Sequence, residues 1–293
     1  MKIAGHREQQ KTLCLLAETG SIPHAFLFSG PEAVGKKTLA RWFLRLANCL
    51  AEKNRPCEEC SSCREIREDT HTDVLEIIPV KKQIEVEQIK LVRERVGYRG
   101  LKANYKGIII DDAHFMNPHA QNGLLKTLEE PTENTMIFLI TEYPHALLKT
   151  VLSRCFHLRF SFVAEKDISA IIEDEELARL ATGRAGKAVF YRDDKKARQK
   201  AEKIKEQAER MAKGEAYWVL QDLKKIIKEE DKEQIDGLIG YLLKALQREV
   251  QEGMREGRDV SLLCEKIKKI EKASYDKNKT NANVELALGN ALV

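Results

Sequence analysis

Three observations predict an α/β fold for roughly the first 160 residues of this 293-residue chain: short β-branched apolar runs recur, helical patterns separate them, and a glycine-rich turn joins the first run to the helix after it. Such alternation implies a mostly parallel sheet covered by helices on both faces. "HAFLFSG" is the first strand, and the helix from Lys36 follows it. Leu39, Phe43, Leu46 and Leu50 recur there at three- and four-residue steps as the face that docks on the sheet, with Arg41 and Arg45 assigned to the open polar face. "KGIIIDD", a helix after Asn117, "MIFLIT", a helix after Pro144 and the strand "FHLRF" complete the alternation.

Beyond about residue 162 strands are no longer expected. A small helical segment, residues 163–195, precedes a charge-rich helical region, 196–293, in which Leu238, Tyr241, Leu242, Ala245 and Leu246 form an apolar stripe. The segment "KKARQKAEKIKEQAERMAK" reads as a solvated helix face, because acids are interspersed with its bases. The net charge is +4, which permits a nucleic-acid partner without predicting one. The longest apolar runs, such as Met136 to Ile140, are too short to span a bilayer, and the N-terminus has no secretory pattern, so a cytoplasmic location is expected.

Gly30-Pro-Glu-Ala-Val-Gly35-Lys36 follows a predicted strand and opens a predicted helix, the context a phosphate-binding loop requires. Its glycines let backbone N–H groups turn inward, the helix N-terminus adds partial positive charge, and Lys36 would reach the outer phosphates. The next position should carry a magnesium-binding hydroxyl, yet Lys37 occupies it and Thr38 comes one residue late. "IIIDDAH" supplies an acidic pair: Asp111 suits a magnesium contact, and Asp112 stands where a longer glutamate would polarise the attacking water. The shorter acid falls roughly an ångström short, a distance that matters for catalysis.

Cys49, Cys57, Cys60 and Cys63 are spaced C-x7-C-x2-C-x2-C. Two-residue gaps let thiolates curl round one ion, and four soft ligands suit a closed structural zinc site. An iron–sulfur loop shares part of the spacing, but the following Cys-Pro is absent. Cys49 is expected to end the helix begun by Lys36, so the metal would staple an inserted loop to that helix. Cys14, Cys155 and Cys264 read as small buried hydrophobes, Trp42 and Trp218 as core or interface aromatics, and His6 and His24 as packing residues or the walls of an adenine pocket.

The cysteines after a phosphate loop, together with "HTDVLEI" from His71, "NGLLKTLEEP" from Asn122 and "LLKTVLSRC" from Leu147, resemble the AAA+ clamp-loader subunits of bacterial DNA polymerase III, the delta-prime type among them. The resemblance covers roughly residues 1–160 and weakens beyond. It implies a RecA-like AAA+ domain over 1–162 with a zinc module at about 49–63, a helical lid over 163–195, and an all-α collar over 196–293 through which five subunits associate. In Ser153-Arg154-Cys155 the arginine resembles a finger that completes a neighbour's nucleotide site; alternatively, Arg154 interacts with the end of its own helix. Thr141 sits where a polar sensor of the terminal phosphate would be, and the expected lid arginine falls on Gly186, with Arg184 and Lys187 displaced from it.

These departures imply an ATPase-defective delta-prime subunit of the polymerase (nucleotidyltransferase) holoenzyme, holding ATP and magnesium weakly or not at all. Its implied partners are gamma/tau and delta-type subunits, a sliding clamp and primed DNA, with no membrane. Two alternatives remain at this stage: an active gamma-type ATPase using Lys36, Asp111 and Thr141 in cis, and a stand-alone zinc-bearing DNA-binding module.

Overall fold

The computed structural model describes residues 3–98, 100, 102–212 and 232–279. The chain forms two compact units, Met1–Glu173 with Gly183–Gly186, and Asp174–Thr182 with Lys187–Val293. In the first unit the elements run α1 (Arg7–Glu18), β1 (Ala25–Ser29), α2 (Lys36–Asn48), α3 (Ser61–Arg67), β2 (Val74–Ile77), α4 (Val86–Gly97), β3 (Lys106–Ile110), α5 (Pro118–Glu129), β4 (Thr135–Thr141), α6 (Lys149–Leu152), β5 (Phe156–Arg159) and α7 (Glu165–Ile172).

The five strands form one parallel sheet in the order β2-β3-β4-β1-β5. Side chains alternate across a strand, so both faces must be covered for β1, β3 and β4 to be buried at every position. On one face Phe26 and Phe28 of β1 meet Phe138 of β4, Phe43 and Leu39 of α2, and Leu13 of α1. On the other, Leu27, Ile108, Ile110, Ile137 and Leu139 meet Ile89 and Val92 of α4 and Leu124 and Leu128 of α5. Helix α2 approaches β3 closely at Gly107, where a Cβ would lie 2.6 Å from both Leu44 methyl groups.

Several expectations need correction. The sheet has a fifth strand, β2, inside the "HTDVLEI" stretch, where the alternation of apolar runs predicts none. Helix α2 stops at Asn48 with Cys49 as its cap, so Leu50 leaves the apolar stripe and is 65% exposed. Arg45 is not on an open face but 1% exposed, because the loop after α2 folds back over it. The chain after Pro144 is not one helix. A single tight turn, Pro144–Ala146, leads to an extended Leu147 before the four-residue α6. The buried Gln121 amide fastens that break: its Nε2 donates to Met116 O and Ala146 O, and its Oε1 accepts from Leu148 N. Cys14, Cys155 and Cys264 are only partly buried.

The remaining described helices are α8 (Glu175–Leu180), α9 (Ala185–Asp193), α10 (Lys195–Ala212), α11 (Lys232–Arg255) and α12 (Ser261–Lys279). Beyond residue 162 no strand occurs among the described residues. Within the second unit α10 packs on α11 and α11 on α12, burying Ile204, Ala208, Leu238, Leu242, Leu246 and Ile270. In the expected stripe Ala245 alone is only partly covered. The Tyr241 hydroxyl donates to Leu180 O at 2.6 Å. Trp218 lies outside the described residues. No described helix is long and apolar enough to cross a membrane.

Candidate functional site

In a parallel sheet every strand ends at the same edge, and ligands gather there in open α/β folds. The loop after β1 is at that edge. Ser29 pairs with Thr141, and the Gly30 N–H donates to Thr141 O at 3.1 Å, so the loop begins beside the end of β4. Gly30 has φ 146°, and a Cβ there would sit 2.3 Å from the Phe160 carbonyl oxygen, a contact only glycine avoids. Gly35, at φ 107°, turns the chain into α2.

Lys36 is 7% exposed, and its Nζ donates to Gly30 O at 2.6 Å and Pro31 O at 2.5 Å. Burial lowers its pKa, against the pull of Glu142, Asp111, Asp112 and Glu32. Lys37 points to the end of β3: its Nζ lies 2.9 Å from Asp111 Oδ2 and 2.8 Å from Glu76 Oε1. Burial alone would lower the Lys37 pKa, but the bonds to Glu76 and Asp111 raise it on balance. Arg41, one turn further along α2, also bonds Glu76 and reaches Asp69 at 2.7 Å. Burial would raise Glu76, yet Lys37 and Arg41 hold its carboxyl below the usual value. Asp111, Lys37, Glu76, Arg41 and Asp69 are thus one chain of ion pairs. Thr38 comes one residue further along α2, about 100° round its axis from Lys37.

Asp112 adopts a left-handed conformation, φ 49°, and burial, then Asp111 and Glu32, raise its pKa. Thr141 is fully buried, its hydroxyl shared with His114 Nδ1 at 3.2 Å and accepting from Tyr143 N at 3.0 Å. His6 bonds Val34 O at 2.9 Å, against the loop, whereas His24 precedes β1 and bonds Leu128 O, at the other edge of the sheet. His24 therefore does not line the loop's surroundings. Gly186 N donates to Ala33 O at 2.7 Å, and a Cβ at Gly186 would meet that oxygen at 3.0 Å. Arg184 lies over the Phe162 ring, 5.3 Å from its centre.

Arg154 precedes β5, at the edge opposite the loop. The separation is one strand length, five residues of β1 at about 3.3 Å each, or roughly 16 Å. Its Nη1 donates to Thr150 O at 2.8 Å and its Nη2 pairs with Glu129 Oε1 at 2.6 Å. Ser153 bonds Thr150 O through its hydroxyl, while Cys155 donates to Val151 O and burial pushes its thiol up to about 12.

The ligand atoms of Cys49, Cys57, Cys60 and Cys63 lie within 4.8 Å of one another, so the cluster could hold a metal ion. Backbone N–H groups already point at the sulfurs: Cys57 N at Cys49 Sγ and Cys60 N at Cys57 Sγ, both at 3.3 Å, and Cys63 N at Cys60 Sγ, at 3.4 Å. The donors at Cys60 and Glu59 bring the Cys57 thiol down to about 6, while burial pushes that of Cys63 up. Cys49 caps α2, and Arg45 of the same helix bonds Glu58, within the cysteine turn, at 2.5 Å. Sequence reasoning missed Glu76, Asp69, Glu58, Glu129 and Gln121. Only Glu76 and Glu129 carried a signal, since each lies within a stretch that carries the family resemblance.

A family model described as DNA polymerase III, delta subunit, matches residues 5–164, more than half of the chain and a span that holds the loop, the four cysteines and Arg154. The DNA polymerase III subunit delta' of Bacillus subtilis is 36% identical over 214 residues, 70% of this chain and 65% of that protein. The subunit gamma of Buchnera aphidicola is 34% identical over 168 residues, 57% of this chain and 46% of that protein. The matches thus span between about half and two thirds of these curated relatives. Among solved structures, a DNA polymerase III gamma-subunit-related protein of Thermotoga maritima aligns over 96% of this chain and 97% of its own, at 19% identity and a TM-score of 0.43.

Proposed function

The chain belongs to the DNA polymerase III, delta subunit, family, and from that membership we propose that it is a delta-prime-type clamp-loader subunit: a cytoplasmic, ATPase-silent member that lends Arg154 to the nucleotide site of an adjacent subunit. One relation carries this reading. Arg154 and the phosphate loop stand at opposite edges of one sheet, so the arginine can serve a loop on another chain but not its own. There its guanidinium would stabilise charge developing on the terminal phosphate.

The silence of its own site has three supports. The Lys37 ammonium holds Asp111 where a hydroxyl and a metal would be needed, Asp112 is short and held in a left-handed turn, and Gly186 leaves no arginine over the loop. Thr141 already has its hydroxyl engaged by His114 and Tyr143. Helices in residues 196–293 would form the collar that joins gamma/tau- and delta-type neighbours into a five-membered ring, which opens a sliding clamp and loads it on primed DNA. Contacts with DNA there would run to phosphates and weaken with salt. The cysteine cluster would hold zinc as a closed, structural ion.

The test is ATP turnover by the purified chain with magnesium and primed DNA, beside Lys36→Ala. No turnover above the variant is expected. Turnover that the variant abolishes would instead identify a gamma-type ATPase, and tight duplex binding by the isolated chain would favour a stand-alone DNA-binding module.

A further inference from the structure

The magnesium ion that a phosphate loop ordinarily holds does not fit this one. Its protein contacts would be a hydroxyl at position 37 and the carboxylate at the end of β3. Here position 37 is an ammonium, bonded to that carboxylate at 2.9 Å and to Glu76 at 2.8 Å. An ammonium has three N–H donors and no lone pair, so it cannot ligate a cation. A divalent ion seated beside it would also meet like charge at close range. Nor is Lys37 loosely placed: Glu76 is itself held by Arg41, which Asp69 holds in turn.

Two of the three Lys37 donors are used on Asp111 and Glu76. The third remains for an incoming oxygen, and the side chain is 38% exposed, so a ligand can reach it. Lys36 opens α2, and its ammonium folds back on the loop, donating to the Gly30 and Pro31 carbonyls. We propose that the loop takes its polyphosphate ligand as the free anion, with the Lys37 ammonium standing permanently in place of the divalent ion. This rests on the phosphate-loop reading of Gly30 to Lys36. It goes beyond catalytic silence, because it names the ligand form: a nucleoside polyphosphate without metal, in preference to its magnesium complex. Magnesium bound to the outer phosphates would compete with Lys37 for the same oxygens.

The measurement is calorimetric titration of the whole chain with ATP, once in EDTA and once with excess magnesium. Binding in EDTA is expected, with magnesium weakening it by about fivefold or more, the low end of ordinary linkage between two ligands. In Lys37→Thr the order should reverse, magnesium strengthening the binding. Glu76→Gln, which leaves Lys37 bonded to Asp111, should keep the wild-type order and guards against a misfolded threonine variant. The proposal is overturned if ATP does not bind in EDTA, if magnesium strengthens wild-type binding, or if Lys37→Thr keeps the wild-type order. Magnesium-dependent turnover by the wild-type chain would overturn both the ATPase-silent reading and this one, whereas magnesium-strengthened binding without turnover would overturn this one alone.

Discussion

Arg154 Nη2 lies 2.6 Å from Glu129 Oε1, so the arginine with the proposed role in a neighbour's site is paired within its own chain. Both side chains are partly exposed, 34% and 48%, and such pairs contribute little. Loss of the Glu129 pair therefore adds little to the cost of turning Arg154 toward a phosphate on another subunit, where the bond from Nη1 to Thr150 O would also be exchanged. Glu129→Gln should change unfolding stability by less than about 1 kcal/mol in denaturant melts. In a reconstituted assembly it should not lower ATP turnover, because it removes a competitor for the guanidinium. A marked fall would mean that Glu129 instead aims the arginine.

The ion-pair chain from Asp111 to Asp69 carries a pH signature. Glu76 has a folded pKa below its unfolded value, so its contribution is fully present above the unfolded carboxyl range, near pH 4.3, and fades as pH falls through the lower folded value. Lys37 has a raised folded pKa, so its contribution holds below about pH 10.4 and is lost as pH rises through the folded value. Both act fully at neutral pH. Glu76→Gln should cost roughly 2 kcal/mol at pH 7, the scale of a hydrogen bond to a charged group, and the gap from wild type should close below about pH 4. Stability curves of the two proteins from pH 3 to 8 would check this, and a gap constant across that range would refute the assignment.

The cysteine turn is tied to α2 by Cys49 at the helix end and by Arg45, which is buried against Glu58. Metal release should thus be felt through α2 in the first compact unit. One equivalent of zinc per chain is expected by elemental analysis, and its chelation should lower the melting temperature by several degrees, as a loss of one to two kcal/mol does at about this size. Cys60→Ser should show both effects. A chain purified without metal and with an unchanged melting temperature would argue against the staple.

What the sequence disclosed were features written in neighbouring residues. The glycine spacing around Gly30 and Gly35, the cysteine spacing and the Ser153-Arg154-Cys155 motif are each short local patterns, and the alternation of strands and helices is a succession of such patterns. What it hid were pairings between distant segments. Lys37 looked like a missing hydroxyl, and nothing local marked Glu76, 39 residues on, as its partner. Arg45 fell on the polar side of a helical pattern, and only the return of the cysteine loop over α2 buries it. Leu50 fitted the helical period, but α2 ends before it, and periodicity does not see a helix stop of this kind. Strand β2 is short, only partly buried at three of its four positions, and interrupted by Glu76, so it lacked the apolar run that marked its neighbours.

The central claim is that Arg154 acts on a site belonging to another subunit, and ATP hydrolysis by a clamp-loader assembly reconstituted with gamma-type ATPase subunits tests it most directly. Arg154→Ala should leave the chain folded and incorporated while lowering turnover at the site it serves by a factor on the order of a thousand, the usual scale for a lost arginine finger. Undiminished turnover in an intact assembly carrying Arg154→Ala would contradict the account.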